Sequence, residues 1–171
     1  QLQSSAASDV YKRQIEWLPK NIPSDQETTI VHGDFRLDNM IFDPITHEVK
    51  AILDWELSTL GNPIADFTYH MMSWRLPAGA KGLGMMGSDL KSLNIPSESE
   101  YAELYYKKTG REKIDNWDFY MAYNIFRLAG IAQGIVGRVR DGTASSSEAK
   151  NYEAFVPILG KLGWSIVEGI K

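Results

Sequence analysis

Residues 117–140, WDFYMAYNIFRLAGIAQGIVGRVR, are the longest stretch of this 171-residue chain with a helical pattern and no proline. A helix of that length spans roughly 36 Å, about the width of a small domain. Its apolar residues fall nearly all round the helix, so it is expected to be central and buried. A chain of this length is about one domain, with enough residues to cover such a helix. The rest of the sequence has to supply that cover.

Two stretches before it read as β structure. TTIV (28–31) is β-branched and predicts a strand. NMIFDPITHEVKAILDWE (39–56) predicts a hairpin, with Met40–Phe42 as the first strand, DPITHE as the turn and VKAILD as the second strand. GNPIADFTYHMMSW then opens a helix, with Asn62 as N-cap and Pro63 at the first helical position. Residues 77–96 are rich in Gly, Pro and Met and read as a long loop or partly ordered insertion. SESEYAELYYKKTG predicts a helix with a capping box (Ser97 and Glu100) and a C-terminal glycine, Gly110. A last helical region follows DGTASSS, interrupted or bent at Pro157. At the other end, IEWLPKNIP reads as a helix end stopped by Pro19 and Pro23, and residues 1–14 as a frayed tail or a segment foreign to the domain. The expectation is a mainly α, α+β lobe over 15–171, with a small early hairpin and four or so helices.

Composition narrows the function. The net charge is −4 and the pI about 5.4, whereas phosphate-backbone binding needs clustered Lys and Arg; nucleic acid is not the expected partner. There is no cysteine, which excludes disulfides, thiolate metal sites and cysteine nucleophiles and is compatible with a reducing cytoplasm, the expected location. No apolar run reaches the ~18 residues of a membrane helix, and no membrane partner is expected.

The chemistry concentrates in VHGDFRLDNM (31–40) and the hairpin behind it. Asp34 follows a predicted strand, Asn39 stands five residues later where the hairpin starts, and Asp54 ends the second hairpin strand. A hairpin returns its end to its start, so Asp54 is expected near Asn39 and Asp34. Two carboxylates and an amide form an oxygen-only set that suits Mg²⁺, which takes few protein ligands and fills the rest with water and phosphate oxygens. Phosphoryl transfer needs such a set: one carboxylate to orient the attacking hydroxyl, and an Asn and an Asp to hold metal against the phosphates.

The D-x-x-x-x-N spacing and the later Asp at a strand end resemble the catalytic loop and metal-binding Asp of the protein-kinase-like fold. HGDFRLDN, then ILDWE, then GNPIADF resemble the aminoglycoside phosphotransferase (choline/aminoglycoside kinase-like) family, and within it the kinase-like domains related to those fused to acyl-CoA dehydrogenases. The resemblance runs from about Ile15 to the C-terminus. It implies a kinase-like C-terminal lobe, with ATP and Mg²⁺ as cofactors and a small-molecule hydroxyl as acceptor, a hydroxy acid or an acyl thioester before an aminoglycoside. It implies Asp34 as the catalytic aspartate, Asn39 and Asp54 as metal and nucleotide ligands, His32 as a loop-shaping residue and Asp66 as a buttress from the following helix. The kinase-like fold also has an N-terminal lobe with a nucleotide-covering loop and a strand lysine. Neither can be placed here, Lys12 and Lys20 lying in tail and helix-end contexts, so that lobe is an expected missing partner and the chain alone is expected to have little activity.

Other residues admit plainer readings. Asp38 reads as a solvated or turn-stabilising residue beside the site. Glu56 faces either the cleft or solvent. Arg127 is either half of a core ion pair or an anion-binding residue of the acceptor cleft. His47 and His70 do not stand at ligand spacing from His32. GLGMMG (82–87) matches G-x-G-x-x-G but follows the catalytic loop instead of preceding it, and neither follows a strand nor opens a helix; loop flexibility explains it. The Met71, Met72, Met85 and Met86 cluster reads as core filler or loose surface. Two rival functions remain: a non-catalytic module of the same fold, and a metal-dependent hydrolase, which leaves the Asp34–Asn39 spacing unexplained.

Overall fold

The computed structural model describes residues 5–24, 27–78, 84–144, 149 and 151–170. They fall into two compact units, one made of both ends of the chain (1–24 and 116–171), the other of residues 25–115.

The end-to-end unit is helical. Helix α1 (Ser5–Trp17) is followed by a short 3₁₀ turn, Leu18–Lys20, with Pro19 inside it. Helix α4 (Trp117–Arg140) has the predicted bounds, and α5 (Tyr152–Gly169) packs along it, with α1 against α5. The all-round apolar pattern of α4 is only half used. Met121, Ile125, Ala129, Ala132 and Val136 form a buried stripe at helical spacing, while Tyr123 and Ile131 are exposed. Pro157 lies inside α5 without ending it. The frayed-tail reading of residues 1–14 is corrected: residues 5–14 belong to α1, where Tyr11 packs on Phe126 and the buried Gln14 amide donates to the Gly160 carbonyl at 2.6 Å. A polar sequence hid a face that tertiary contact buries. Residues 1–4 lie outside the described residues.

The second unit carries the β structure. Strand β1 (Thr29–Val31) pairs antiparallel with β4 (Thr59–Gly61), a pairing that the sequence did not reveal. Strands β2 (Met40–Phe42) and β3 (Val49–Ile52) form the predicted hairpin, with an irregularity at Ile41/Phe42. Asp43 closes its turn by accepting the N–H groups of Ile45 and Thr46, each at 2.9 Å.

Helix α2 (Pro63–Arg75) starts as predicted: the Asn62 side chain accepts the Ile64 N–H at 2.9 Å. Ile64, Phe67, Thr68, Met71 and Met72 are buried at i, i+3, i+4, i+7 and i+8, one apolar face of a helix. Helix α3 (Glu98–Thr109) has the predicted capping box and ends at Gly110. Arg75, at the end of α2, forks onto Glu98, at the start of α3, at 2.6–3.0 Å. Between the two helices Phe67 stacks on Tyr105 at 3.8 Å and Trp74 on Tyr101 at 5.1 Å. The 77–96 segment has no helix or strand of its own among the described residues. It folds back so that Met86 donates to Leu76 at 3.0 Å and Ala78 to Met86 at 3.2 Å. The first two residues of GLGMMG lie outside the described residues; Gly84 is tight against the Leu76 and Pro77 carbonyls, where a Cβ would stand about 2 Å from an oxygen.

The capping box makes a pH-dependent prediction. Hydrogen bonds from the Ser97 hydroxyl and backbone N–H hold the Glu100 carboxyl below its ordinary value. A depressed carboxylate contributes stability above its unfolded-state pKa and loses it as pH falls through the folded value. Glu100→Gln should therefore lower the urea midpoint near neutral pH, and the two proteins should converge at acid pH. Parallel midpoint curves across that range would count against the cap.

Candidate functional site

The site is built on three loops of the 25–115 unit: the turn after β1, the start and end of the β2–β3 hairpin, and the first turn of α2. His32 ties the first two together. Its side chain is 2 % exposed. The ring Nε2 lies 2.7 Å from the Leu53 carbonyl, and Nδ1 accepts the Asp34 N–H at 3.2 Å. Only the neutral ring with hydrogen on Nε2 makes both bonds at once, since a carbonyl only accepts and an N–H only donates. One imidazole thus fixes the backbone at Asp34 and at the residue before Asp54. Neither ring nitrogen is left to move a proton, which is the geometry of a residue that shapes a loop.

Asp66 holds the same loop from the other side. Its carboxylate, in the first turn of α2, accepts the Gly33 N–H at 2.8 Å and the His32 N–H. Between these bonds Gly33 adopts a φ of +84°, and a Cβ there would stand 2.4 Å from the Leu57 carbonyl oxygen. The glycine of HGD is therefore required twice, by backbone conformation and by close approach.

Asn39 closes the loop. Its amide nitrogen donates to the Asp34 carbonyl at 2.9 Å and to the Asp34 carboxylate Oδ2 at 3.0 Å. That use of the nitrogen leaves the amide oxygen, a hard donor, as the side chain's remaining polar atom. The Asn39 carbonyl accepts the Leu53 N–H at 2.8 Å, which sets Asp54 one residue beyond a hairpin hydrogen bond to Asn39. Asp54 itself is left-handed (φ 66°, ψ 52°) and caps a 3₁₀ turn, Trp55–Leu57. Such a conformation costs a non-glycine residue about 1–3 kcal/mol and clusters at functional sites. The Asp54 side chain is exposed and takes no hydrogen bond or ion pair among the described residues. The structure thus ties Asn39 to Asp34 through its amide and sets Asp54 one residue beyond the hairpin hydrogen bond to Asn39.

The remaining residues fall as follows. Glu56 is exposed on the 3₁₀ turn behind Asp54. Asp38 is exposed and pairs with Arg36. Arg127 is half-buried on α4, in the other unit. Sequence reasoning passed over Gly33, Leu53 and Arg36, although the glycine in HGD was a visible signal of special backbone. A run of rings continues from the loop into α2: Trp55 beside His32 at 4.7 Å, Phe35 against His32 at 6.2 Å, and His70 against Phe35 at 5.9 Å. Burial holds the His70 imidazole below its ordinary value of 6.5.

This arrangement has known counterparts. Residues 3–104 match the profile of the phosphotransferase enzyme family, APH. The chain belongs to that family. A solved Ralstonia eutropha protein assigned to the aminoglycoside phosphotransferases superposes with a TM-score of 0.89 at 45 % identity, over 95 % of this chain and 50 % of that one. The mouse protein acyl-CoA dehydrogenase family member 10 is 46 % identical over 90 % of this chain and 14 % of its own length. The human acyl-CoA dehydrogenase family member 11 is 38 % identical over 95 % of this chain and 21 % of its own. The chain thus spans about a fifth or less of these curated relatives and half of the solved one. The expected fold class, a mainly helical kinase-like lobe with a small hairpin, holds. No helix among the described residues is long and apolar enough to cross a membrane.

Two measurements check this geometry. Gly33→Ala should lower stability by about 1–3 kcal/mol in denaturant unfolding. Gly87, with a φ of +90° but open space around it, is the control; its alanine variant should lose less. His70 contributes a pH dependence of the same sign as Glu100's, in a higher pH range. Its pKa is lower folded than unfolded, so the unfolded chain binds the proton first and stability falls as pH drops below the ordinary 6.5. His70→Phe should flatten that decline, and an unchanged slope would argue against a buried neutral ring.

Proposed function

We propose that the chain carries the catalytic loop of an ATP- and Mg²⁺-dependent kinase that phosphorylates a hydroxyl group on a small molecule. The observation that supports this most is the Asn39 amide, fixed on Asp34 with its oxygen left over, next to an unpaired Asp54 held in a left-handed conformation. Asp34 orients the acceptor hydroxyl and takes its proton as the oxygen bonds to the γ-phosphorus and the bond from that phosphorus to the bridging oxygen breaks, releasing ADP. Asn39 and Asp54 hold the metal ion, which when bound neutralises charge on the phosphates. The donor set fits: an amide oxygen with one or two carboxylates suits an ion that keeps water and phosphate oxygens in its shell. His32 and Asp66 hold the loop in shape without touching the reactants. The relatives' acyl-CoA dehydrogenase names favour a hydroxy acid or an acyl thioester as acceptor over an aminoglycoside. With a nucleotide-covering lobe as its expected partner, the 171-residue chain alone is expected to bind ATP weakly and turn over little.

In the full-length protein, ATP binding measured by calorimetry should require Mg²⁺, disappear in Asp54→Ala and survive in Asp34→Asn. Asp34→Asn should instead lower turnover by about 10²–10⁴-fold, the usual range for losing a positioned base. ATP binding indifferent to both Mg²⁺ and Asp54 would favour a non-catalytic module of the same fold.

A further inference from the structure

Trp55 follows Asp54 in DWE, and neither core packing nor the proposed reaction accounts for it. It is 47 % exposed. A ring as large as an indole stabilises a fold chiefly through the area it removes from water, so packing does not explain its place on a solvent-facing turn. What fixes the side chain is polar. Its Nε1–H donates to the carbonyl of Ile52, the last residue of β3, at 2.9 Å. That bond reaches back over Leu53 and Asp54. The indole also lies against the buried His32 imidazole, with centroids 4.7 Å apart and planes inclined by 51°.

Asp54 is gripped from both sides. Before it, Leu53 has both backbone groups committed: its N–H to the Asn39 carbonyl at 2.8 Å and its carbonyl to His32 Nε2 at 2.7 Å. After it, the Trp55 carbonyl accepts the Ser58 N–H at 2.9 Å, which closes the 3₁₀ turn, while the indole returns to Ile52. With both neighbours fixed, the chain reverses direction through the φ and ψ of Asp54, and it does so at left-handed values. A non-glycine residue stays in that region only when its surroundings over-determine it. His32 and Asn39 supply the constraint on the Leu53 side, and the Trp55 indole supplies it on the other.

We propose that Trp55 is a positioning residue for Asp54. Its indole N–H holds the left-handed turn closed, so that the carboxylate is presented in one orientation. Its ring on His32 ties that orientation to the loop that carries Asp34. The role of Asp54 toward a metal ion rests on the kinase reading; the clamp on its backbone does not.

Three measurements test the clamp, with Trp55→Phe as the variant that keeps a ring and loses the donor. The first compares Asp54→Gly with Asp54→Ala in denaturant unfolding, with Trp55 present and in the Trp55→Phe background. With Trp55, the Asp54→Gly protein should have the higher urea midpoint, because glycine takes the left-handed region freely and alanine must be held there. In Trp55→Phe the gap should narrow or reverse, because the turn can relax. No gap, or the same gap in both backgrounds, overturns the proposal. The second is calorimetry on the full-length protein. Trp55→Phe should need about fivefold more Mg²⁺ to bind ATP, the shift expected if the binding-competent turn falls to about a fifth of the population, and saturating Mg²⁺ should restore binding. A lowered urea midpoint with an unchanged Mg²⁺ requirement is the result of a merely structural residue and overturns the proposal. The third needs no variant in the folded state: the Trp55 indole N–H should exchange with water more slowly than that of free tryptophan, and equal exchange overturns the proposal even if Trp55→Phe does not fold. Absence of Mg²⁺-dependent ATP binding in the unmodified protein would sink the kinase reading, and the stability and exchange measurements would still decide the clamp.

Discussion

The His32 imidazole is the interaction on which the rest of the site depends. It is buried, neutral in its bonding pattern, and attached at both nitrogens to backbone that lies far apart in sequence: Asp34 at one end and Leu53 at the other. A polar group buried this deeply is stabilising only while both partners are present. The bond to Leu53 also needs the hairpin to return in register, and the hairpin register puts Leu53 opposite Asn39. The loop, the hairpin and the left-handed Asp54 are therefore one mechanical unit, in which displacing any part leaves a buried donor or acceptor unpaired.

Asp66 shows how the helical part of that unit contributes. A carboxylate in the first turn of a helix is already favoured by the helix dipole. Here it also accepts two consecutive backbone N–H groups, those of His32 and Gly33. Two adjacent N–H groups can point at one carboxylate only if the chain bends sharply between them, and the positive φ of Gly33 supplies the bend. The capped, deeply buried face of α2 then gives the loop a rigid base. The site borrows its stiffness from a helix whose own formation rests on ordinary capping and apolar periodicity.

Much of this was legible in the sequence, for reasons that differ by element. Helices α2, α3 and α4 were readable because their signals are local: an Asn–Pro start, a Ser–Glu capping box, an unbroken helical period. The hairpin was readable because a turn rich in Asp, Pro and Thr separates two apolar runs. The β1–β4 pairing was not, because its strands are three residues each and about thirty positions apart, too short to announce a partner. The burial of Gln14 was missed for a related reason: a Gln whose amide finds a helix carbonyl is as buried as a Leu, but nothing in its own neighbourhood says so.

By itself the sequence determined the inventory: Asp34, Asn39 and Asp54 in order, spaced so that a hairpin would gather them, in a chain free of cysteine and acidic overall. It also determined the family, because three short blocks in fixed order are a stronger constraint than any one of them. Only the tertiary structure decided how each polar atom is used. It spends both nitrogens of His32 and the amide nitrogen of Asn39 on backbone and loop contacts, leaves Asp54 open in a strained conformation, and buries the Nε of Arg36 without a partner. Hydrogen-bond partners depend on distance and angle in space, which a linear pattern constrains only within one turn of helix or one hairpin. Longer links of this kind are set when the pieces pack.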